Sequence, residues 1–566
     1  MRPIILFLTL ILMQATLIEG GEGKDLGIEI YPTPQEVSLH KFIPLPNTFR
    51  IKDKAGIILK EDLKLYKDFF ISKGCSYEEK PTSFLISYER GAPEHKTILR
   101  PEGYALKIDE KGMIVRSDGI DGYFYAYQTL RQIVKESGSS FEIPLGEIKD
   151  YPLFPVRGIL EGGYDVWTHK QRLKILKWLG KLKMNYYMYC PKDGFYFRRQ
   201  WRRMYPEEEL ENFKEYLKTC KENHIVFCYS LSPAMSMVYS RESEFETLLK
   251  KYRQIQDLGV KNFSIFFDDV LPLLSNPEDR AKFKSVAEAE VYVTNRLYKK
   301  LKERDPEVRL AFVPNQYWDV KRSAYLDTVK EKLNPEIDIG WTGMKITADK
   351  ITKQDAQKFI DYLGKRPGLG DNLSPLGPIY DRSGDLYETC DAYIVNPCGF
   401  ASPGIAQLTK FFASTLADYA WNPLAYEPER SFRIACEKLC GEKLAGKLLR
   451  LSIELSGKKL KKEYIGYETH FKKVLGRLAQ EKDVTKFKSD LMKLKEELNE
   501  LSNLGEIILK SNLEETLKAQ VFNFSLLKEA EEKAVKSIQL IDEFFKKERT
   551  SSHDCSFLVK RLSTIL

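Results

Sequence analysis

Two adjacent carboxylates, Asp268 and Asp269, close the apolar run Ile265-Phe266-Phe267 and are followed by Val270. The run reads as a buried strand with a charged end. Such a strand suits the interior of a parallel sheet, and charge at its end suits a site at the sheet's C-terminal edge. Two carboxylates forced together divide labour, because one has its pKa raised and keeps a proton while the other stays ionised. Neighbours on a regular strand point to opposite faces. Both therefore reach one pocket only where the strand ends, and only if they do different jobs. Taken alone, an Asp-Asp pair is also what a helix cap or a solvated loop looks like.

The same residue types also occur in other chemistries. An apolar strand ending in Asp also describes a nucleotide-binding Walker-B strand, which needs a Gly-rich phosphate loop. The match to G-x-x-x-x-G-K is Gly441–Lys447, but Leu448 follows it where Ser or Thr would hold Mg²⁺, and it lies in helical sequence with no strand before it. The nucleotide reading is rejected. The six His are scattered, and the nine Cys show no metal-ligand spacing. Cys436 and Cys440 lie four apart, on a helical pattern without a matching pair. No metal and no cofactor are expected. An odd cysteine count means that at least one thiol is free or pairs with another chain.

The elements that must position the pair recur in a regular rhythm. Strands are predicted at Val156–Leu160, Met184–Tyr189, Ile225–Ser230, Asn262–Phe267, Arg309–Val313, Ile337–Trp341, Gly368–Gly370 and Ala392–Val395. Helices are predicted at His169–Lys183, Glu207–Asn223, Glu242–Leu258, Asp279–Arg304, Ala324–Leu333, Lys353–Leu363 and Ile405–Tyr419. Eight strand–helix units across about 265 residues predict a (β/α)₈ TIM barrel over 151–424 rather than an open sheet. In a barrel the C-terminal strand ends share one mouth. That mouth collects Glu161-Gly162-Gly163-Tyr164, Pro191-Lys192-Asp193, Asp268-Asp269, Asn315-Gln316-Tyr317-Trp318, Trp341-Thr342-Gly343, Asp371-Asn372 and Asn396-Pro397. Carboxylates, amides, hydroxyls and a Lys among aromatics suit a neutral sugar.

The flanks read differently. Residues 25–150 suggest a mixed α+β accessory domain without convincing chemistry. It has strand candidates at Ile28–Val37 (broken by a Pro-rich turn), Ser83–Tyr88, Tyr104–Asp109 and Met113–Val115, and a helix at Gly119–Val134. From 425 to 566 the pattern is helical only, at Lys458–Leu478, Thr485–Leu501, Leu513–Phe522 and Leu526–Lys547. This predicts a C-terminal helical bundle, a candidate surface for a homodimer. The chain of 566 residues is 43% hydrophobic and 12% aromatic, enough for several cores. A net charge of +8 over this length is too dilute to argue for nucleic acid. Arg2 followed by the apolar run Ile4–Met13 predicts a signal peptide over 1–23, hence export to the periplasm or beyond. No later segment reaches transmembrane length.

The barrel segments carry a family pattern. Val156-Arg157-Gly158-Ile159-Leu160-Glu161-Gly162-Gly163-Tyr164 resembles the RG(V/I)xEGFYG opening of glycoside hydrolase family 84, the O-GlcNAcases and related bacterial β-N-acetylglucosaminidases, some called hyaluronidases. Tyr189-Cys190-Pro191-Lys192-Asp193 is similar to its YAPKDD, Phe266-Phe267-Asp268-Asp269 to its FFDD, Trp341-Thr342-Gly343 to its WTG, Asp371-Asn372 to its (W)DN, and Tyr419-Ala420-Trp421-Asn422-Pro423 to its YAWNP. The motifs fall in family order over about residues 150–425. The resemblance implies a retaining, substrate-assisted hydrolysis of terminal β-GlcNAc, outside the ordinary two-carboxylate scheme. The acetamido oxygen would attack the anomeric carbon and give an oxazoline. Asp268 would orient the acetamido N–H, and Asp269 would protonate the leaving oxygen and then activate water. Tyr317 would contact the forming oxazoline, and Thr342 would line the N-acetyl pocket. Gly162 (through its backbone), Lys192, Asn372 and Asn396 would hold sugar hydroxyls. The implied partner is a GlcNAc-bearing glycan or glycoprotein.

The chain also departs from that pattern. Gly163 stands where the family has Phe, Asp165 where it has Gly, and Gly370 where it has the Trp of (W)DN. The family Asp that grips distal sugar hydroxyls is replaced by Gly377, with Asp381 and Asp385 as candidate substitutes. These departures keep two other readings open. One is a non-catalytic carbohydrate-binding protein. The other is a glycosidase for a different 2-acetamido sugar.

Overall fold

The computed structural model describes residues 26–91, 102–163, 166–373, 377–397, 405–442, 444–448, 467–504, 506, 525–546 and 552–566. The apolar run at 4–13, the helix expected at Leu513–Phe522 and the expected helix start at 458–466 lie outside these residues, as do Tyr164 and Asp165.

The chain divides into two compact units, one of residues 26–30 with 34–151 and one of 31–33 with 152–566. In the first, the elements run β1 (Glu36–Pro44), β2 (Thr48–Asp53), α1 (Lys60–Ser72), β3 (Ser76–Tyr77), β4 (Phe84–Glu89), β5 (Tyr104–Asp109), β6 (Gly112–Ser117), α2 (Ile120–Ile133), β7 (Lys135–Ser137) and β8 (Ser140–Asp150). They form one mixed sheet in the order β1-β8-β5-β6-β4-β2-β3, with β7 also pairing β8. Tyr123, Ala126, Leu130 and Ile133 of α2 are buried, as the helical spacing predicts. The strand expected at Ile28–Val37 is corrected to β1, which starts only at Glu36, after a turn at Tyr31-Pro32.

The second unit opens with the barrel. Its strands are β9 (Val156–Leu160), β10 (Tyr186–Tyr189), β11 (Val226–Leu231), β12 (Asn262–Phe266), β13 (Arg309–Val313), β14 (Asp338–Trp341), β15 (Gly368–Asn372) and β16 (Ala392–Asn396). All eight are parallel, and β16 pairs with β9 to close the ring. The glycine-rich β15 is a full strand because it is paired on both sides. Tertiary pairing overrides its poor strand propensity. Between the strands run α3 (His169–Lys181), α4 (Glu207–Glu222), α5 (Glu242–Gln256), α6 (Pro277–Lys282), α7 (Val286–Lys302), α8 (Ala324–Lys332) and α9 (Lys353–Leu363), and α10 (Ile405–Trp421) follows β16. The single helix expected over Asp279–Arg304 is two. The chain becomes extended at Ser285, whose hydroxyl accepts the Glu288 amide and starts α7 afresh. Thr168 and Thr352 cap α3 and α9 with reciprocal capping boxes to Gln171 and Asp355.

Alternation along the strands sorts the side chains. One set, including Ile159, Tyr187, Phe227, Ile265, Phe312, Ile339, Leu369 and Tyr393, joins the large core that includes the surrounding helices' buried side chains. The other set fills the lumen, where Met188, Cys228 and Phe266 cluster with Leu160, Val313 and Ile394. At the lower rim Arg157 is fully buried. It donates to the carbonyls of Phe154 and Lys183 and lies over the Trp421 ring at 5.1 Å. Two stretches far apart in sequence thus brace the barrel away from its mouth.

After α10 come further helices at Pro428–Cys440, Tyr467–Gln480, Val484–Ser502, Ser525–Lys546 and Ser552–Ile565. Leu491, Leu494, Leu498, Ile541 and Leu562 bury their faces in a separate helical core. No described helix is long and apolar enough to cross a membrane. The eight cysteines among the described residues are buried.

Candidate active site

The alternation that fills the lumen continues past the strand ends into the mouth. Stepping by two from Phe266 gives Asp268, from Met188 and Cys190 gives Lys192, and from Gly340 gives Thr342. The same step from Gly370 gives Asn372, from Ile394 gives Asn396, and from Leu160 gives Gly162. A cavity of about 340 Å³ is lined at this end by Lys192, Asp268, Tyr317, Trp341, Thr342, Asn372 and Asn396. Six of the eight residues singled out in the sequence therefore share one cavity. The other two lie beside its walls. Asp269 touches Lys192 and Tyr317, and Gly162 abuts Asn396.

Asp269 breaks the alternation. Its φ of +55° is left-handed, a conformation costing a non-glycine residue about 1 kcal/mol. The turn brings its carboxylate back beside that of Asp268 instead of away from it. One ammonium bridges the two, Lys192 Nζ lying 2.7 Å from Asp268 Oδ2 and 2.5 Å from Asp269 Oδ2. Tyr317 donates its hydroxyl to Asp269 Oδ1 at 3.1 Å. Burial pushes the Asp269 carboxyl up, but Lys192, Tyr317 and Arg198 outweigh it and hold it below the usual carboxylate range. Burial likewise works against charge on Lys192, and the two carboxylates reverse that effect and keep it protonated. Burial and the neighbouring carboxylates raise the Tyr317 phenol, so it stays a donor.

Two acceptors remain open. Asp268 Oδ1 and Asn396 Oδ1 are buried and have no hydrogen-bond partner among the described residues. Asn396 donates through Nδ2 to Asn372 Oδ1 at 3.1 Å, and Asn372 in turn donates to the Ile346 carbonyl at 2.7 Å. The Thr342 hydroxyl is engaged with the carbonyls of Tyr317 and Lys345. The Gly162 amide donates to Leu160 O at 2.9 Å. A Cβ there would come within 2.9 Å of the Asn396 side chain, so the absence of a side chain is what admits Asn396. Trp341 is buried as a wall, its ring N–H donating to Asp319 O.

Several residues placed at the mouth from sequence point elsewhere. Glu161 and Asp371 sit on the outward parity. Glu161 forms a buried ion pair with Arg172 at 2.7 Å and accepts from Tyr187. Asp371 takes a bidentate pair with Arg382 at 2.6 and 2.8 Å and accepts from Tyr393. Neither lines the cavity. Asp381 and Asp385, the candidate substitutes for the aspartate replaced at Gly377, do not line it either. Asp381 is exposed, and Arg382 beside it turns inward to Asp371. Sequence reasoning missed Arg198, whose Nη2 lies 3.3 and 3.2 Å from the carbonyl oxygens of Asp268 and Asp269. It sits in a loop with no periodic signal to mark it. Among the described residues no cluster of three or more His, Cys, Asp or Glu forms a metal site.

The family described as beta-N-acetylglucosaminidase matches residues 157–452, and glycosyl hydrolase family 20, domain 2 matches residues 27–151. The chain is 33% identical to Protein O-GlcNAcase of Mus musculus over 266 residues, which is 44% of this chain and 29% of the mouse protein. It spans less than a third of the length of that curated relative. Among solved structures it is similar to CpGH84B, at 25% identity and a TM-score of 0.77, covering 95% of this chain and 97% of that one. It is also similar to a mutant O-GlcNAc hydrolase of Thermobaculum terrenum, at 25% identity and a TM-score of 0.62, covering 73% of this chain and 95% of that one.

Proposed function

The chain belongs to glycoside hydrolase family 84, and from that premise we propose that it is a retaining β-N-acetylglucosaminidase acting on terminal β-GlcNAc of glycans or glycoproteins. The observation that carries this reading is the unequal state of the two aspartates. Asp268, which lines the cavity, has a buried acceptor with no partner among the described residues, whereas both oxygens of Asp269 are already engaged. An acetamido N–H on Asp268 Oδ1 orients the acetamido oxygen for attack on the anomeric carbon. A bond forms between them as the glycosidic bond breaks, giving an oxazoline and sparing either aspartate the nucleophile's role. Asp269 gives its proton to the departing oxygen, then takes one from water as it opens the oxazoline.

Lys192 links binding to this step. In the free protein it helps hold Asp269 ionised. A sugar hydroxyl that engages the ammonium draws charge from Asp269, whose carboxyl then takes up the proton it must donate. Asn396 Oδ1 offers a second hydroxyl an acceptor. The apolar run at 4–13, preceded by Arg2, supports an exported protein.

The test is Asp269→Asn with an aryl β-GlcNAc. Turnover falls by about 10²–10⁴, the range of general acid–base catalysis, and an unchanged rate sinks the reading. A second reading, preference for another 2-acetamido sugar, is favoured because neither Asp381 nor Asp385 is among the residues that line the cavity. A panel of aryl glycosides differing at the distal hydroxyls decides between the two.

A further inference from the structure

Four successive carbonyls of the turn that carries the aspartates are each met by a side chain. Asn315 Nδ2 donates to Phe267 O at 3.3 Å and to Val270 O at 2.8 Å. Arg198 Nη2 donates to Asp268 O at 3.3 Å and Asp269 O at 3.2 Å. The two donors come from different loops, after β10 and after β13, and grip residues 267–270 between them. The last ladder bond of the segment is Phe267 N to Val313 O, so beyond it no strand pairing holds the turn. Without side-chain support a left-handed aspartate at its centre has reason to relax.

Asn315 is itself held from behind. Its backbone amide donates to the Tyr325 hydroxyl at 2.8 Å, and that hydroxyl donates to Glu290 Oε2. Glu290 lies on α7, fully buried, with its other oxygen lacking a partner among the described residues. A buried carboxylate with no cation beside it is costly where an apolar residue would pack. Its hydrogen bond from Tyr325 leads on to the amide of Asn315, and from there to the aspartate turn.

We infer that Arg198 and Asn315 are positioning residues that fix the turn 267–270, and that Tyr325 and Glu290 fix Asn315 in turn. The inference rests on the glycosidase reading for its kinetic consequence but not for its geometry. Asp268 directly follows the residue that makes the last ladder bond, whereas Asp269 lies one residue further on in a left-handed conformation, so the group that moves most when the grip is lost is Asp269, the proton donor. A misplaced acid penalises leaving groups that need a proton and spares those that do not.

The experiment compares an aryl β-GlcNAc of poor leaving group with the 2,4-dinitrophenyl glycoside in wild type, Asn315→Ala and Tyr325→Phe. On the poor leaving group both variants lose about tenfold or more in kcat with KM within about twofold, and on the dinitrophenyl substrate they lose less than about threefold. Glu290→Gln, which keeps an acceptor for Tyr325, recovers most of what Glu290→Leu loses. Equal losses on the two glycosides, or none, overturn the inference. Hydrogen exchange over residues 265–274 reads the same grip without turnover: it speeds up in Asn315→Ala and Tyr325→Phe, and an unchanged rate overturns the inference whatever the kinetics. A wild-type protein that hydrolyses neither glycoside defeats the glycosidase reading alone, because the exchange measurement still decides the grip.

Discussion

The barrel carries charged residues at both rims, and the two rims treat those charges in opposite ways. At the upper rim Lys192, Asp268 and Asp269 meet at 2.7 and 2.5 Å, with side chains 11%, 7% and 31% exposed. At the lower rim Arg309 pairs with Asp338 at 3.4 Å, and these side chains are 68% and 48% exposed. For Asp269 burial pushes the carboxyl up and its cation wins, leaving it low. For Asp338 desolvation by the surrounding barrel wall wins over Arg309 and Lys365, leaving it high. The cavity lining reaches both rims, from Lys192 and Asp268 down to Asn262, Arg309 and Asp338, past the small residues Ala311, Gly340, Gly368 and Gly370. Proximity of charges at a strand end is therefore not what makes a site. A short, shielded cation–carboxylate distance with an open acceptor beside it is.

The strongest way to break this comparison is to make one change at both rims. Asp269→Asn removes the proton donor, and turnover of an aryl β-GlcNAc falls by about 10²–10⁴. Asp338→Asn makes the same chemical change at the other end and leaves kcat/KM within about twofold. Comparable losses at the two rims would show that the assignment of chemistry to the upper one is wrong.

Next in size is the cation. Lys192→Met takes away the ammonium that offsets burial at Asp269, so the carboxyl rises from its lowered value. Activity falls about tenfold or more through lost substrate contacts. The pH–rate profile of the residual activity separates the two effects, because the limb governed by Asp269 moves to higher pH. Arg309→Met below leaves the profile unmoved. A limb that stays in place in Lys192→Met would mean that the ammonium does not control Asp269.

How much of this was written in the sequence follows from the same alternation. The eight strands were legible because β-branched and aromatic runs of four to six residues stand between amphipathic helices, and even Gly368–Gly370 held its place by position in the rhythm. Asp268, Lys192, Asn372 and Asn396 were legible as strand-end polar groups. The inward phase of each strand separates Gly162 from Glu161 and Asn372 from Asp371, and it takes both carboxylates away from the mouth. The break at Ser285 was masked by a continuous helical pattern through Phe283-Lys284. Arg198, Glu290 and Tyr325 were illegible because their roles depend on backbone carbonyls met across loops, and no local spacing encodes that.

The smallest effect concerns a third carboxylate that sharpens the contrast by having burial without a cation. Burial pushes Glu290 up from 4.5 to about 8, against weaker lowering by Tyr325 and the Asn315 amide. Its folded value therefore lies above its unfolded one, and the sign follows from proton linkage. Below about 4.5 the carboxyl is protonated in both states and the folded form bears no penalty. As pH rises from there through about 8, the unfolded chain ionises first and folding loses stability, by up to a few kcal/mol on the pKa scale. Glu290→Gln cannot ionise and flattens that decline. Urea unfolding at pH 5, 6, 7 and 8 measures it, the variant gaining on the wild type at each step upward. Asp269 works in the opposite sense and in a separate window. Its lowered value adds stability that is lost only as pH falls through the acid range, so the two carboxylates are distinguished by which arm of the stability curve each mutation changes. A Glu290→Gln curve parallel to the wild type at all four pH values would place the carboxyl at its ordinary value, and burial alone would then be too weak to separate it from the aspartates that Lys192 holds.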